Sequence, residues 1–254
     1  MIKYKYVNEN AEVYENEVAK KLLEEHSDNR FFGDDGIIQI DKKRWEEAQR
    51  YESSEWLERC ANMNNDRNDF HEEIFENYNM LTDLPIESMI ELGCGPFTNA
   101  RNIIKKLPSI QELTLLDPLA HTYMKEHINC SYKNVDNISI VNSSIEDFKV
   151  EKTYDLVVMI NVLEHCFDIP KIFENIDKMT KKGSYFVYAD VQFDYDVAKR
   201  ISEIKFNSGH PIRVTKDYIN NTISSLFDPI FHKTFEEIVA GEQAEEWYFV
   251  GKKK

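Results

Sequence analysis

The chain has 254 residues, with 46 Asp and Glu against 31 Lys and Arg, for a formal net charge of −15. That sign works against electrostatic capture of DNA, RNA or an anionic membrane surface, each of which needs net or clustered positive charge. Hydrophobic residues at 42 % of the chain, with aromatics at 12 % of the chain, suffice for a sizeable core and exclude global disorder.

The opening MIKYKYVNENAEVYENE contains no apolar run of signal-peptide length. The apolar stretch LVVMI at 156–160 is far shorter than a membrane span. Cys60, Cys94, Cys130 and Cys166 form no CxxC pair, so neither a zinc site nor a disulfide framework is indicated. These features predict a cytoplasmic protein with free thiols and no metal.

Val13, Val18, Leu22 and Leu23 fall at helical spacing and predict an amphipathic helix within 1–30. FFGDDGIIQID at 31–41 reads as a Gly-Asp turn followed by a short strand. Asp41 is a suitable N-cap for a helix over 42–60. Trp45, Gln49, Glu52 and Trp56 share one face of that helix, a stripe that alternates indole with amide and carboxylate where a core stripe would be apolar throughout. A polar break at 62–69 precedes a second helix over 70–81, and Pro85 closes this segment. Its 21 acids and 11 bases hold two-thirds of the net charge.

From 86 the pattern alternates short apolar strands with helices. Strands are predicted at 88–92, 113–117, 138–141, 154–160, 184–191 and 246–253, with helices at 98–107, 119–128, 169–180 and from near Thr215. This rhythm indicates a parallel sheet covered by helices. The connection 192–214 has the length of a binding loop or lid.

Glycine is scarce, with 8 residues where average usage of about 7 % gives roughly 18. Gly93 and Gly95 stand two apart in ELGCGPFT, just after the first strand of this region. A G-x-G alone marks either a tight turn or a ligand loop. The third glycine of a dinucleotide fingerprint is replaced by Thr98, and no Lys-Ser or Lys-Thr follows as in a P-loop. Asp117 ends the next strand, 22 residues after Gly95, where a carboxylate can take ribose hydroxyls. The combination suits a ribonucleoside without phosphates.

ELGCGP with Thr98, LLDP at 115–118, SSIEDF at 143–148 and YDLVVMINVLEHCFD at 154–168 resemble, in order and spacing, the class I S-adenosylmethionine-dependent methyltransferases. The resemblance covers about 86–190 and, more weakly, the terminal strand. It implies an α/β fold, a Rossmann-like seven-stranded mostly parallel sheet with helices on both faces. An N-terminal helical cap over 1–85 would precede the catalytic domain over 86–254. S-adenosylmethionine is the implied cofactor and S-adenosylhomocysteine the product. Gly93 and Gly95 would wrap the methionine part, with the backbone near Glu91 and Gly93 meeting its amino group. Asp117 would accept from both ribose hydroxyls. Leu116 and Pro118 would sandwich the adenine ring, and Ser144 and Ile145 would frame its edge. Asn161 would lie near the sulfonium. Many relatives carry an Asp where this chain has Ser143 and Ser144, which puts the side-chain acceptor for the adenine amine in question.

For the acceptor, His165 in VLEHCFD and His210 in SGHPIRVT are candidate bases, each with packing as the alternative. Arg213 is a candidate for an anionic group on the acceptor. Glu164 and His165 are adjacent, which disfavours a shared metal. GIIQIDKKRWEEAQRYESSEW resembles the N-terminal cap of some bacterial surface-polysaccharide methyltransferases, in which Trp45 and Gln49 would close over cofactor and acceptor. The reading is a methyltransferase acting on a small polar metabolite, such as a sugar or phosphorylated intermediate of surface-glycan assembly. It has no nucleic-acid or membrane partner and no specified oligomeric state. A protein or quinone methyltransferase and a non-catalytic S-adenosylmethionine-binding regulator are the alternatives.

Overall fold

A computed structural model of the chain describes residues 30–32, 38–133, 135–204, 209–239 and 241–254. The helix expected within 1–30 and the Gly-Asp turn at 33–36 lie outside these residues, apart from Arg30. Strands β1 (Arg30–Phe32) and β2 (Ile38–Ile40) pair antiparallel. Helix α1 (Lys42–Ser54) follows, and the Asp41 carboxylate accepts from the Arg44 amide at 3.1 Å, satisfying one of the free N–H groups of the first turn. The helix widens into a π-helical turn, Glu55–Arg59, so the predicted span to residue 60 is met with a changed pitch.

The helix expected over 70–81 is broken. Helix α2 (Asn68–Ile74) starts earlier, after Arg67 in the left-handed region at φ 57°. A 3₁₀ stretch, Glu76–Leu81, then contains Asn77 and Tyr78 with φ of 57° and 56°. Phe75, Tyr78 and Leu81 are fully buried, and the kink stacks the Phe75 and Tyr78 rings 5.3 Å apart. Apolar packing here outweighs helix continuity.

The remaining elements are β3 (Ser88–Leu92), α3 (Ala100–Lys106), β4 (Glu112–Leu116), α4 (Ala120–Glu126), β5 (Ile138–Val141) and β6 (Tyr154–Ile160), then α5 (Ile169–Met179), β7 (Thr180–Gln192), α6 (Tyr195–Ile204), α7 (Lys216–Leu226), β8 (Phe227–Val239) and β9 (Glu242–Lys253). Strands β3 to β9 form one sheet in the order β5-β4-β3-β6-β7-β9-β8. The first five are parallel, and β9 pairs antiparallel with both β7 and β8. Alternate residues feed two cores, as the period of a strand requires. Ile90, Leu92, Val157, Met159 and Phe186 pack with α5 and α7 on one face. Met89, Leu115, Leu156, Val158 and Val187 pack with α3 and the Phe75–Leu81 segment on the other. The sheet is therefore Rossmann-like, with helices on both faces. The connection leaving β3 runs to β4 and that leaving its neighbour β6 runs the opposite way to β7, and such a switch point is where ligands bind in open α/β sheets.

Besides the short β1, two larger elements were not expected. Strand β8 is an exposed edge with Pro229 at a register shift and Lys233, Glu236 and Glu237 along it, features that blunt an edge and weaken its apolar signature. Helix α6 occupies much of the connection read as a loop, and it buries Ala198 and Ile201 against Val191 and Phe193. Among the described residues no helix is long and apolar enough to cross a membrane. None of these residues form a His, Cys, Asp and Glu group of three or more suited to a metal ion.

Asp41→Ala should lower stability by about 1 kcal/mol, read as a shift in the urea unfolding midpoint at unchanged slope.

Candidate active site

The two glycines after β3 are required for different reasons. Both have left-handed backbone, with φ of 66° at Gly93 and 51° at Gly95. A Cβ on Gly93 would lie 2.6 and 2.7 Å from the methyls of Val162, so the loop after β6 crosses it without clearance. A Cβ on Gly95 would meet nothing within 4 Å, because that position faces open space. Asp117, at the end of β4, fixes the loop. One carboxylate oxygen accepts from the Gly95 amide at 3.0 Å and the other from the Leu119 amide at 2.7 Å. A carboxylate has roughly four lone-pair sites, so acceptor capacity remains on both oxygens. Burial pushes the Asp117 carboxyl above its ordinary range, and the Leu119 and Gly95 amides oppose that.

Glu91 does not line the cavity. Its buried carboxylate accepts from the Thr98 hydroxyl, from the Asn99 and Ala100 amides at 2.9 and 3.0 Å, and from the Asn99 side chain at 3.3 Å. It therefore satisfies the free N–H groups at the start of α3 and braces the glycine loop from beneath. Leu116 is also a correction: it is fully buried in the core, while Pro118 lines the cavity.

A cavity of about 480 Å³ opens above the carboxyl ends of β3, β4 and β6. Gly93, Gly95, Asp117, Pro118, Ser144, Ile145 and Asn161 line its sheet side, and Trp45, Gln49, Glu52, Trp56 and Arg59 its cap side. Asn161 is held in the left-handed region at φ 59°, with its amide donating to Ala189 O at 2.7 Å. The Ser144 hydroxyl is engaged by the Asp147 amide at 3.1 Å. Two positions on, Glu146 lines the cavity. One of its oxygens accepts from the Phe167 and Asp168 amides at 2.8 and 3.2 Å, and the other is buried with no partner among the described residues. The sequence reading sought an acid at 143 or 144 and missed this one.

The striped face of α1 grips His165. Trp45 Nε1 and Gln49 Nε2 donate to the His165 carbonyl at 3.0 and 3.3 Å. One turn further, Glu52 Oε1 lies 3.6 Å from His165 Nδ1. The same nitrogen is 3.0 Å from Gly209 O. A carbonyl only accepts, so Nδ1 carries the hydrogen and Nε2 is the basic nitrogen of the neutral ring. His210 stands beside it, with ring centroids 4.4 Å apart, and both rings line the cavity. Burial pushes both imidazoles below their ordinary range. For His210 the neighbouring His165, Arg213 and Arg67 push the same way. Glu52 moves in the opposite direction, pushed up to about 8 by burial and then by Glu55, Asp66 and Asp117.

Arg213 is not available to an acceptor. It is 6 % exposed and lies outside the cavity wall. Its guanidinium donates to Glu164 at 3.0 Å and to the carbonyls of His210 and Ile212 at 3.2 and 3.0 Å. Burial raises the Glu164 carboxyl and Arg213 opposes the rise. Within the turn Leu163–His165, Glu164 thus faces Arg213 while His165 faces Gly209. The guanidinium groups in the wall are instead Arg59, paired with Glu55, and Arg67, 3.5 Å from Asp66.

Residues 85–241, more than half of the chain, match a family model described as a methyltransferase domain. Ubiquinone biosynthesis O-methyltransferases of two Rickettsia bellii strains are 27 % identical over 112 residues, 43 % of this chain and 43 % of theirs. The match thus spans less than half of those relatives. The N-methyltransferase NodS of Bradyrhizobium japonicum WM9, solved with S-adenosylhomocysteine, shares the fold at 17 % identity and a TM-score of 0.55, over 82 % of this chain and 98 % of that one. TehB of Haemophilus influenzae shares it at 14 % identity and a TM-score of 0.55, over 74 % and 67 %.

Arg213→Ala leaves Glu164 buried without its cation and should destabilise the protein by about 3–5 kcal/mol, read by urea unfolding. A change within experimental error would return Arg213 to the surface.

Proposed function

Because the chain belongs to the class I S-adenosylmethionine-dependent methyltransferase family, we propose that it transfers the methyl group to a small polar acceptor held between α1 and the carboxyl end of β6. The observation that carries this reading is the Gly95–Asp117 cradle, which opens on the cavity at the switch point of the sheet. The residues present fit the cofactor. The space facing Gly95 is what any other side chain would fill, Asp117 keeps acceptor capacity, and the cavity volume is in the range of small-molecule sites. S-adenosylmethionine supplies, when bound, a methyl carbon made electrophilic by its sulfonium.

In this reading the backbone at Gly93 and Gly95 faces the methionine part, and Asp117 accepts from the ribose hydroxyls through charge-assisted hydrogen bonds. Pro118, Ser144 and Ile145 frame the adenine. Glu146, with its unpartnered oxygen, stands in for the acid that Ser143 and Ser144 do not provide. Asn161 borders the reacting centre. The chain's contribution to rate is alignment and exclusion of water, together with removal of a proton from a hydroxyl or ammonium nucleophile. His165 and His210, both held neutral by burial, are the groups for that proton.

The finer form of the proposal is a sugar-like acceptor of the kind used in bacterial surface-glycan assembly. Its support is the 36–56 run and a wall that combines indole, amide and carboxyl groups. A phosphorylated acceptor would rely on Arg59 or Arg67, since Arg213 is engaged elsewhere. A quinone precursor is the second reading, favoured by the activity of the curated relatives and by Trp56, edge-on to Phe97 at 5.7 Å in the same wall. The cluster of neutral imidazoles argues for turnover over a purely regulatory role.

Asp117→Ala should weaken S-adenosylhomocysteine binding by about tenfold or more, roughly 1.4 kcal/mol, in a calorimetric titration. Unchanged affinity would sink the assignment. His210→Ala should reduce turnover far more than it reduces that affinity. Release of S-adenosylhomocysteine across a panel of sugars, nucleotide-sugars, phosphorylated metabolites, phenols and amines separates the acceptor classes, and silence across the panel favours the regulator.

A further inference from the structure

We propose that Glu52, from the cap helix, is the positioning residue of His165, and that the two act as a carboxylate–imidazole dyad assembled across the cap and the sheet. This deepens the methyl-transfer reading and rests on it.

Three contacts from one face of α1 converge on this single histidine. Trp45 and Gln49 hold its carbonyl, and Glu52 stands 3.6 Å from its Nδ1. A residue that merely floors a cavity has no use for a grip on both its backbone and its ring. The segment beginning at Gly209 completes the arrangement. Its carbonyl takes the Nδ1 hydrogen, and a Cβ on Gly209 would fall on Glu52 Oε1, so glycine is the residue that admits the carboxyl at this distance. Glu52 also accepts a hydrogen bond from Trp56, which fixes the carboxyl in the cavity wall.

The arrangement assigns each proton a place. As the acceptor's heteroatom bonds to the methyl carbon, the carbon–sulfur bond breaks with its electron pair left on sulfur. The heteroatom's proton passes to His165 Nε2. The ring is then an imidazolium whose Nδ1–H faces Gly209 O and Glu52. An ionised Glu52 offsets that charge, as the acid of a Ser-His-Asp triad does for its histidine. The competent state is thus ionised Glu52 with neutral His165, and its population rises as pH climbs through about 8, where Glu52 loses its proton. The other charged or titratable groups facing the pair are Glu55 on the same helical run, Asp66 before α2, Asp117 after β4, Glu164 beside His165, and His210. Arg59 pairs with Glu55 and Arg213 with Glu164, so neither of those carboxylates substitutes for Glu52.

The test is ¹⁵N-histidine NMR on the full chain saturated with S-adenosylhomocysteine, with His165 assigned through His165→Gln. In the wild type the His165 resonances should report the Nδ1-protonated tautomer and carry an inflection near pH 8. Glu52→Gln keeps the side-chain shape; it should abolish that inflection and lower the pH at which the ring protonates by about one unit. Glu52→Asp should retain the inflection, and it carries the test if the Gln variant does not fold. A His165 titration identical in wild type and Glu52→Gln, with binding intact, overturns the dyad. Failure of the wild type to bind S-adenosylhomocysteine overturns the methyl-transfer reading instead.

Discussion

Peptide N–H groups that leave a parallel sheet at its carboxyl edge lose their ladder partners and need other acceptors. Here buried carboxyls provide them, one beside each of four strands. Glu91 takes the amides that open α3, Asp117 those of Gly95 and Leu119, and Glu146 those of Phe167 and Asp168. Asp190, in β7, takes those of Val162 and Leu163 at 2.9 and 2.8 Å. The amides of Leu119, Asn99 and Ala100 lie near their carboxyls in the chain, while those of Gly95, Phe167, Asp168, Val162 and Leu163 lie at least 21 residues from theirs. The cavity floor is therefore a set of cross-braced loops. Burial raises all four acids, Asp190 to about 7, the expected result of removing carboxyl groups from water.

The cap is set against this floor. One of its ties is the segment Val162–His165, in which the Val162 and Leu163 amides are held from below by Asp190 and the His165 carbonyl is held from above by Trp45 and Gln49. Asn68 adds another, donating to the Phe97 carbonyl at 2.8 Å and so joining α2 to the glycine loop. The acidity of the first 85 residues is not only a solvated surface. Glu52, Glu55 and Asp66 face inward, and their mutual repulsion contributes to the raised Glu52 carboxyl.

Much of the fold was legible because parallel strands buried on both faces read as continuous apolar runs, and β3 and β6 fall where those runs predicted; β5, a part-buried edge strand, was marked by its β-branched ISIV run. The glycine loop and Asp117 were legible because backbone freedom and a strand-end acid leave a local signature. Strand β8 was not, since an edge strand that manages its exposure with proline and charge has little period to detect. Arg213 was misassigned because a guanidinium suggests contact with an anionic ligand, and only the packing reveals that it neutralises Glu164. The resemblance put the backbone near Glu91 at the ligand, and the packing adds that the Glu91 side chain braces α3. Glu146 escaped notice because its position is shifted by two residues from the one inspected. Glu52 stood in the stripe from the beginning, and what the sequence lacked was its neighbour, His165, 113 positions away.

The position of β9 in the sheet bears on how the molecule is made. This strand is synthesised after the others, yet it lies between β7 and β8 and contributes Phe249 to one core and Tyr248 and Val250 to the other. Until it emerges from the ribosome, β7 is an open edge and both apolar layers lack their closing side chains. The parallel half can collapse early, but its Asn161 loop hangs from Ala189 of that same unfinished β7. In the interval before β9 pairs, the nascent chain carries an exposed, pairing-competent edge at β7.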